Sequence, residues 1–293
     1  MTIAYHIIAP PGYDDTIAAT FQEVDDRFNK WNPHSEVAYF NQAPPHEKIP
    51  LSPSLYRLLC LTDQMVQATE GLFDPTVEPL LRHWKEALAQ HRTPSDLDTF
   101  PFGWQHVHFM ETHWWKDCEG IALDLSGIAK GYTVDLLIER VLDPHVFVEW
   151  GGEIRAKGHH PSGRPWRVAI TGTTLELELN NQAIATSGNY EQAWETADQT
   201  FTHILNPSTR SLLPVTSSRS ISVLAPTCAE ADALATAALL TNETFTERFP
   251  AFTFYFFDNK ELNPVSDSPI PDPPAARNTL HSADGLVHPK DQS

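Results

Sequence analysis

Residues 123–135 of the chain read Leu-Asp-Leu-Ser-Gly-Ile-Ala-Lys-Gly-Tyr-Thr-Val-Asp. An apolar approach typical of a strand leads into a small-residue turn at Ser126 and Gly127, after which apolar residues recur at helical spacing. The start of such a helix presents unpaired backbone N–H groups and a positive dipole end, which favour a phosphate. We place Lys130 in the first helical turn, where it would add a mobile positive charge. By itself the pattern is more typical of a plain strand-to-helix connection.

The charge of the chain restricts its partners. Its 293 residues include 38 acidic and 20 basic residues, which give a formal net charge of −18. Because a surface this acidic repels a polyanion, we expect no nucleic acid partner. An anionic ligand would need local cations or a metal ion to be held.

The cysteines and the hydropathy pattern narrow the class of protein. Cys60, Cys118 and Cys228 are odd in number and far apart, so neither a disulfide framework nor a zinc site is indicated. No run approaches the ~18 apolar residues of a membrane span. We expect a cytoplasmic protein from the chain as it stands, and a periplasmic one if a signal segment has been removed.

Helical and strand patterns follow one another along most of the chain. Helices are predicted from Asp14, from Pro53 behind a Ser52 cap, through residues 80–84, and at 228–241. The predicted strands are 2–8, 104–110, 113–117, 146–150, 166–170, 175–179, 183–185, 201–205, 220–224 and 252–257. Residues 29–36 are predicted as a polar loop and residues 186–190 as a polar turn.

The end of the chain has a different composition. Residues 263–293 hold six prolines and no aromatic residue, so they bury too little surface to order themselves. The sequence therefore predicts one folded unit over residues 1–262, followed by a Pro-rich flexible tail.

Three residues each have two interpretations. Trp31 in the polar loop belongs either to the core or to a site where it stacks on a flat ligand. Asp74, which Pro75 holds extended, either caps a helix or points its carboxylate at a ligand. His203 lies in a predicted strand, where a single histidine is usually a satisfied core residue and less often a functional one.

The strongest local pattern is a carboxylate in an apolar helix. Asp232 and Thr236 lie four residues apart in the Ala- and Leu-rich run 228–241, and therefore on one face. A carboxylate and a hydroxyl there suit a hard cation such as Mg²⁺, because an unpaired buried carboxylate is costly. The alternative is a hydrogen-bonded Asp near the helix start, where the helix dipole also favours it.

Seven short motifs occur in a specific order over residues 1–260. They are Ser35-Glu36 with Asn41, Gly71-Leu72-Phe73-Asp74-Pro75-Thr76, Asp124-Leu125-Ser126-Gly127-Ile128-Ala129-Lys130-Gly131-Tyr132 with Asp135, Gly151-Gly152-Glu153, Thr186-Ser187-Gly188, His203-Ile204-Leu205-Asn206-Pro207 and Ala231-Asp232-Ala233-Leu234-Ala235-Thr236. This ordered set closely resembles the ApbE family of flavin transferases, the FAD:protein FMN transferases. The resemblance implies a T-fold-like α+β fold with mixed or antiparallel sheets and flanking helices.

The resemblance also implies a role for individual residues. Asp232 and Thr236 would bind Mg²⁺ through their side chains, and Gly127 through its backbone carbonyl. His203 would assist proton transfer. The residues that would contact FAD are Trp31, against the isoalloxazine ring, and Leu72, Phe73, Asp74, Asp124 and Lys130.

The implied reaction transfers FMN from FAD to a Thr or Ser hydroxyl of a partner flavoprotein and releases AMP. The acceptor would carry Asp or Asn, two further residues, Ser or Thr, Gly, Ala, and Ser or Thr. One alternative is an FAD pyrophosphatase, in which water replaces the hydroxyl and FMN and AMP are released. Another is a non-catalytic FAD-binding protein.

The chain departs from the family pattern at Arg210. Relatives commonly have Asp-Pro-x-Thr-Gly where this chain has Asn206-Pro207-Ser208-Thr209-Arg210. An arginine in place of this glycine either grips the acceptor protein or narrows the cleft.

Overall fold

A computed structural model describes residues 3–189, 193–195, 200–215, 219–241 and 243–258. The helices are α1 (Asp14–Arg27), α2 (Glu36–Gln42), α3 (Pro53–Ala68), α4 (Glu78–Leu88), α5 (Ser126–Arg140) and α6 (Cys228–Leu239). The strands are β1 (Tyr5–Ile8), β2 (Ile49–Pro50), β3 (Val107–Met110), β4 (His113–Lys116), β5 (Val146–Trp150), β6 (Glu153–Lys157), β7 (Trp166–Ala169), β8 (Glu176–Leu179), β9 (Ala183–Gly188), β10 (Ala193–Glu195), β11 (Thr200–Asn206), β12 (Ser211–Pro214), β13 (Arg219–Ala225) and β14 (Thr253–Asp258). The predicted tail at 263–293 lies outside the described residues and stays a prediction.

The main sheet has six strands in the order β1-β5-β6-β9-β13-β14, and every neighbouring pair is antiparallel. Two three-stranded sheets, β10-β11-β12 and β2-β4-β3, and the β7-β8 hairpin complete the strand pairing of the described residues. Antiparallel sheets flanked by helices confirm the predicted α+β class. Within the described part of the chain, no helix is both long and apolar enough to cross a bilayer.

Helices α5 and α6 form the centre of the main core. Nearly all of α6 is buried, and it packs against β9, β13 and α5. Small residues let the two helices approach closely: a Cβ atom at Gly131 of α5 would overlap the backbone carbonyl of Cys228 at the start of α6. The backbones of α5 and α6 are therefore held in direct contact.

Two further layers cover the rest of the sheets. The β7-β8 hairpin packs Trp166 and Leu179 against Phe147 of the main sheet. Helix α4 packs Leu80 and Trp84 onto the β10-β11-β12 sheet. These contacts join α4 to strand β11, which carries His203.

The approach to α5 is not a strand, contrary to the prediction. Leu123 is fully buried, but its backbone bonds to a side chain instead of a sheet: its N–H donates to Asn41 Oδ1 at 2.7 Å, and its carbonyl accepts from Asn41 Nδ2 at 3.0 Å. Helix α5 begins at Ser126, so Lys130 lies in its second turn instead of its first. The backbone N–H and C=O groups of a buried apolar run can form their hydrogen bonds with a side chain, so the run need not pair with a strand.

Other element predictions were also wrong. Residues 186–188 were predicted as a turn because they are polar, but they belong to β9. Their hydroxyl groups bond to neighbouring elements, and Thr186 Oγ1 lies 2.7 Å from Ser222 Oγ. Residue 190 of that predicted turn is outside the described residues. Residues 104–106 form a 3₁₀ turn before β3. Helix α2 was missed, although Ser35 caps it by accepting from the N–H of Ala38 at 3.0 Å.

Candidate active site

The three predicted metal ligands meet between α5 and α6. A Cβ atom on Gly127 would lie 3.5 Å from Thr236 Oγ1, and 3.3 Å from the ring of Phe73. One turn away, Asp232 Oδ2 accepts a hydrogen bond from the N–H of Gly131 at 3.2 Å. The structure therefore brings Gly127, Asp232 and Thr236 to one place, with Phe73 beside them.

Asp232 is a buried carboxylate whose negative charge is only weakly balanced by neighbouring groups. Its side chain is 4% exposed, and no lysine or arginine of the described residues lies within ion-pair distance of it. Burial raises its pKa above the ordinary range, while the charge of Lys130 and the N–H of Gly131 lower it in part. A carboxylate held in this way gains free energy when a cation binds beside it.

The donor set fits a hard cation. Thr236 Oγ1 lies 3.2 Å from Ser187 Oγ of β9, so two hydroxyl groups stand next to Asp232 on the same side of α6. Carboxylate, hydroxyl and carbonyl oxygens are the ligands that Mg²⁺ takes. Among the residues that can be described, no group of three or more His, Cys, Asp or Glu side chains could hold a metal ion. A site here would therefore combine carboxylate with neutral oxygens.

Lys130 lies close to these groups but contacts Glu153, a motif residue to which the sequence analysis gave no role. It forms an ion pair with Glu153, which begins β6 after the positive-φ turn at Gly151 and Gly152. Glu153 is 2% exposed. Burial raises its pKa to about 8, with the charge of Asp232 as the second cause and Lys130 acting against both.

A second charged cluster lies just before α5. Lys30 Nζ donates to Asp124 Oδ2 at 2.7 Å and also pairs with Glu78 at the start of α4. Burial alone would raise the pKa of Asp124, but the Lys30 charge and the N–H of Ser126 outweigh it, so this pKa is lower than usual. Asp124 Oδ1 accepts from the N–H of Ser126 at 2.9 Å. The predicted phosphate position at this helix start thus already holds a carboxylate.

Trp31 is excluded from the core, because it is 74% exposed. Lys30 Nζ lies 4.7 Å from its ring centroid and Lys85 Nζ 5.7 Å. A cleft of about 330 Å³ opens beside it and is also lined by Asn41 and Lys116. A large aromatic ring at the edge of a cleft with cations around it is positioned to stack on a flat anionic ligand.

Asp74 performs the capping role in this structure. Its Oδ1 accepts from the N–H of Thr76 at 2.8 Å and from Thr76 Oγ1 at 2.6 Å. The carbonyl of the next residue, Pro75, accepts from the N–H of Asp124 at 2.8 Å. Leu72 is partly buried against the main core. Contacts of Asp74 and Leu72 with FAD stay predictions.

Asp135 fixes the start of α6 from outside that helix. Its two carboxylate oxygens accept from the N–H groups of Cys228 and Ala229, each at 2.9 Å, and Arg155 donates to it at 2.7 Å. Asp135 is in the second half of α5, so this contact and the close approach at Gly131 together set where Asp232 lies.

His203 and Arg210 belong to the β10-β11-β12 region. His203 is half-buried in β11, next to Ile204, which packs into the same core as Phe73. Arg210 directs its side chain to the segment 97–102: Nη1 donates to the carbonyl of Leu97 at 3.0 Å, and the guanidinium lies 4.9 Å from the Phe102 ring centroid. These contacts stay within the chain.

The sequence profile described as the ApbE family matches residues 1–250. A relative from Chlamydia pneumoniae, an FAD:protein FMN transferase, is 39% identical over 254 residues, which cover 80% of this chain and 81% of that protein. The chain belongs to the ApbE family. A family member from Vibrio cholerae, also an FAD:protein FMN transferase, is 30% identical over 270 residues, covering 83% of this chain and 80% of its own length.

Solved structures of the ApbE family have the same fold. The apo form of the flavinyl transferase ApbE from Pseudomonas stutzeri superimposes with a TM-score of 0.77 at 25% identity, and 88% of each chain is covered. The ApbE protein from Thermotoga maritima gives a TM-score of 0.75 at 27% identity, with 86% of this chain and 89% of that chain covered. The predicted family and fold are therefore confirmed.

Sequence reasoning missed Lys30, Glu78 and the position of Glu153 within the site. Lys30 precedes Trp31 and lies 48 residues from Glu78 and 94 from Asp124, so no local pattern joins them. Glu153 stands in a quoted family motif, and the paired glycines before it were the available signal.

Proposed function

We propose that this ApbE family member is an Mg²⁺-dependent enzyme that transfers FMN from FAD to a Ser or Thr hydroxyl of an acceptor protein. The observation that carries the proposal is the family match over residues 1–250, which includes every predicted site residue. The meeting of Gly127 with Asp232 and Thr236 between α5 and α6 supports it, because Gly127 is far from the other two residues in the sequence.

The chain supplies charge where phosphoryl transfer needs it. Asp232, Thr236 and the Gly127 carbonyl would hold Mg²⁺, which when bound neutralises negative charge on the transferring phosphoryl group. Lys130 would place a second positive charge beside the pyrophosphate of FAD. Trp31 would hold the isoalloxazine ring by stacking at the exposed edge of the cleft.

His203 would accept the proton of the acceptor hydroxyl. The hydroxyl oxygen then bonds to the phosphorus of the FMN half, and the bond from that phosphorus to the bridging oxygen breaks. AMP leaves with the bridging oxygen. The product is a phosphoester between FMN and the acceptor.

An assay with an acceptor peptide tests this function. The full chain is incubated with FAD, Mg²⁺ and a peptide that carries the Asp-x-x-Thr-Gly-Ala-Thr pattern, and a second peptide with Val in place of the first Thr is the control. We expect an added FMN mass on the first peptide alone, together with AMP. Free FMN and AMP in both reactions would identify an FAD pyrophosphatase. Intact FAD in both reactions would indicate a non-catalytic FAD-binding protein.

A further inference from the structure

Glu153 has one oxygen in use and one without a partner. Its Oε1 receives the ammonium of Lys130, whereas its Oε2 is buried and bonds to no group of the described residues. Gly151 lies close to this carboxylate: a Cβ atom on Gly151 would lie 3.5 Å from Oε2 and 3.7 Å from Lys130 Cδ. The oxygen without a partner therefore lies beside the Gly151 backbone and the Lys130 side chain.

Asp232 lies in the same region of the site. Lys130 and Gly131 are neighbours in α5, and the side chain of the first reaches Glu153 while the N–H of the second reaches Asp232 Oδ2 at 3.2 Å. The mutual repulsion of the two carboxylates contributes to the raised pKa of Glu153. Two buried carboxylates therefore share the charge of one lysine.

Such an arrangement is costly unless a proton or a further cation is bound. An unpaired buried polar atom costs roughly 1–3 kcal/mol, and more when it is charged. An anchor for Lys130 would need only Oε1. The free Oε2 needs a different partner, and Asp232 beside it needs the same kind of partner.

We infer that Glu153 is a further residue of the cation site, to which it contributes a second carboxylate next to Asp232. The inference rests on the proposed Mg²⁺ site between α5 and α6. It assigns Lys130 a second role as the counter-cation of this carboxylate pair when no metal is bound. With a divalent cation bound beside the two carboxylates, Lys130 would be available for the phosphates of FAD.

Binding of Mn²⁺ to the full chain without FAD tests the inference, with free Mn²⁺ measured by electron paramagnetic resonance. Glu153→Gln keeps the shape of the side chain and removes its charge. We expect about a tenfold or larger loss of Mn²⁺ affinity, the scale of effects near a metal. The matched control is Glu149→Gln in β5, whose carboxylate only accepts from the N–H of Gly152 and should leave affinity unchanged.

Variants at Lys130 separate a cation residue from a lysine anchor. Lys130→Met removes the competing cation and should bind Mn²⁺ more tightly than the wild type. Adding Glu153→Gln to it should again weaken binding about tenfold, and this double variant also serves if the single Gln variant does not fold.

Two results would overturn the inference. The first is Mn²⁺ affinity that Glu153→Gln leaves unchanged, both in the wild type and in the Lys130→Met background. Glu153 would then only anchor Lys130, while a loss of Mn²⁺ binding in Asp232→Ala would still support the proposed site. Failure of the wild type itself to bind Mn²⁺ would remove the Mg²⁺ part of the proposed function and this inference with it.

Discussion

Arg210 has a backbone φ of 54°, in the left-handed region that favours glycine. A side chain in this region costs roughly 1–2 kcal/mol, a cost that the glycine expected from the family pattern would avoid. Here the contacts with Leu97 and Phe102 offset that cost. Arg210 therefore ties the turn before β12 to the segment 97–102.

Two substitutions at Arg210 separate backbone strain from side-chain contact. Arg210→Ala loses the contacts and keeps the strain, whereas Arg210→Gly loses the contacts and relieves it. We expect Arg210→Ala to be the less stable of the two by about 1 kcal/mol, or roughly 2–4 °C in melting temperature. Equal melting temperatures would show that the turn relaxes without strain.

Trp31 is the residue whose exposure best indicates ligand contact. Trp31→Ala should reduce the quenching of FAD fluorescence and weaken binding by about 1 kcal/mol, because a stacked ring is lost. Tyr39→Ala, which removes another exposed aromatic ring, is the control. Titration of FAD into each variant measures both quantities, and unchanged quenching in Trp31→Ala would place the flavin elsewhere.

At the scale of elements, the contact of α5 with α6 determines the site. Gly131→Ala should destabilise the protein by about 1–3 kcal/mol, since the new methyl group meets backbone that cannot move aside. Gly127→Ala is the matched comparison on the same helix. Its methyl group would meet only side chains at 3.3 Å or more, and alanine is the better helix former by about 1 kcal/mol.

Chemical denaturation of both variants measures the difference. We expect Gly131→Ala to unfold at a clearly lower denaturant concentration than Gly127→Ala. If the order is reversed, the close approach of the two helices is not a constraint on the fold.

Elements with a strong apolar pattern could be predicted from the sequence, and those held by long-range polar contacts could not. The helices at Asp14, Pro53 and Cys228 and the strand Val146–Trp150 follow from apolar spacing and caps. Residues 186–188 look like a turn because they are polar, yet their hydroxyls bond to β13 and α6. Contacts with partners that are distant in the sequence therefore determine that these residues form a strand.

The same limit applies to the candidate site. Asp232 and Thr236 could be paired from their spacing on one helix, and the family motifs brought in Gly127. The cluster of Lys30, Glu78 and Asp124 joins three segments and has no local signature. That these three residues lie together is evident only from the folded structure.

At the scale of the whole molecule, residues 263–293 are expected to contribute nothing to the folded unit. Their composition offers almost no surface to bury. A chain that ends at residue 262 should keep its melting temperature and its transfer activity. A fall of several degrees in a thermal scan would show that this segment docks onto the rest.

We propose that this molecule transfers FMN with a cation site on α6 and a proton acceptor on β11. The most direct test of this proposal is the intact mass of the acceptor peptide over time, with FAD and Mg²⁺, for the wild type, Asp232→Ala and His203→Ala. We predict FMN addition by the wild type and none by Asp232→Ala, which should remain folded because the substitution removes a costly buried charge. His203→Ala should transfer FMN roughly 10² to 10⁴ times more slowly, with Mg²⁺-dependent FAD binding near normal. Full transfer by Asp232→Ala, or loss of metal-dependent FAD binding in His203→Ala, would show that these two roles are wrongly assigned.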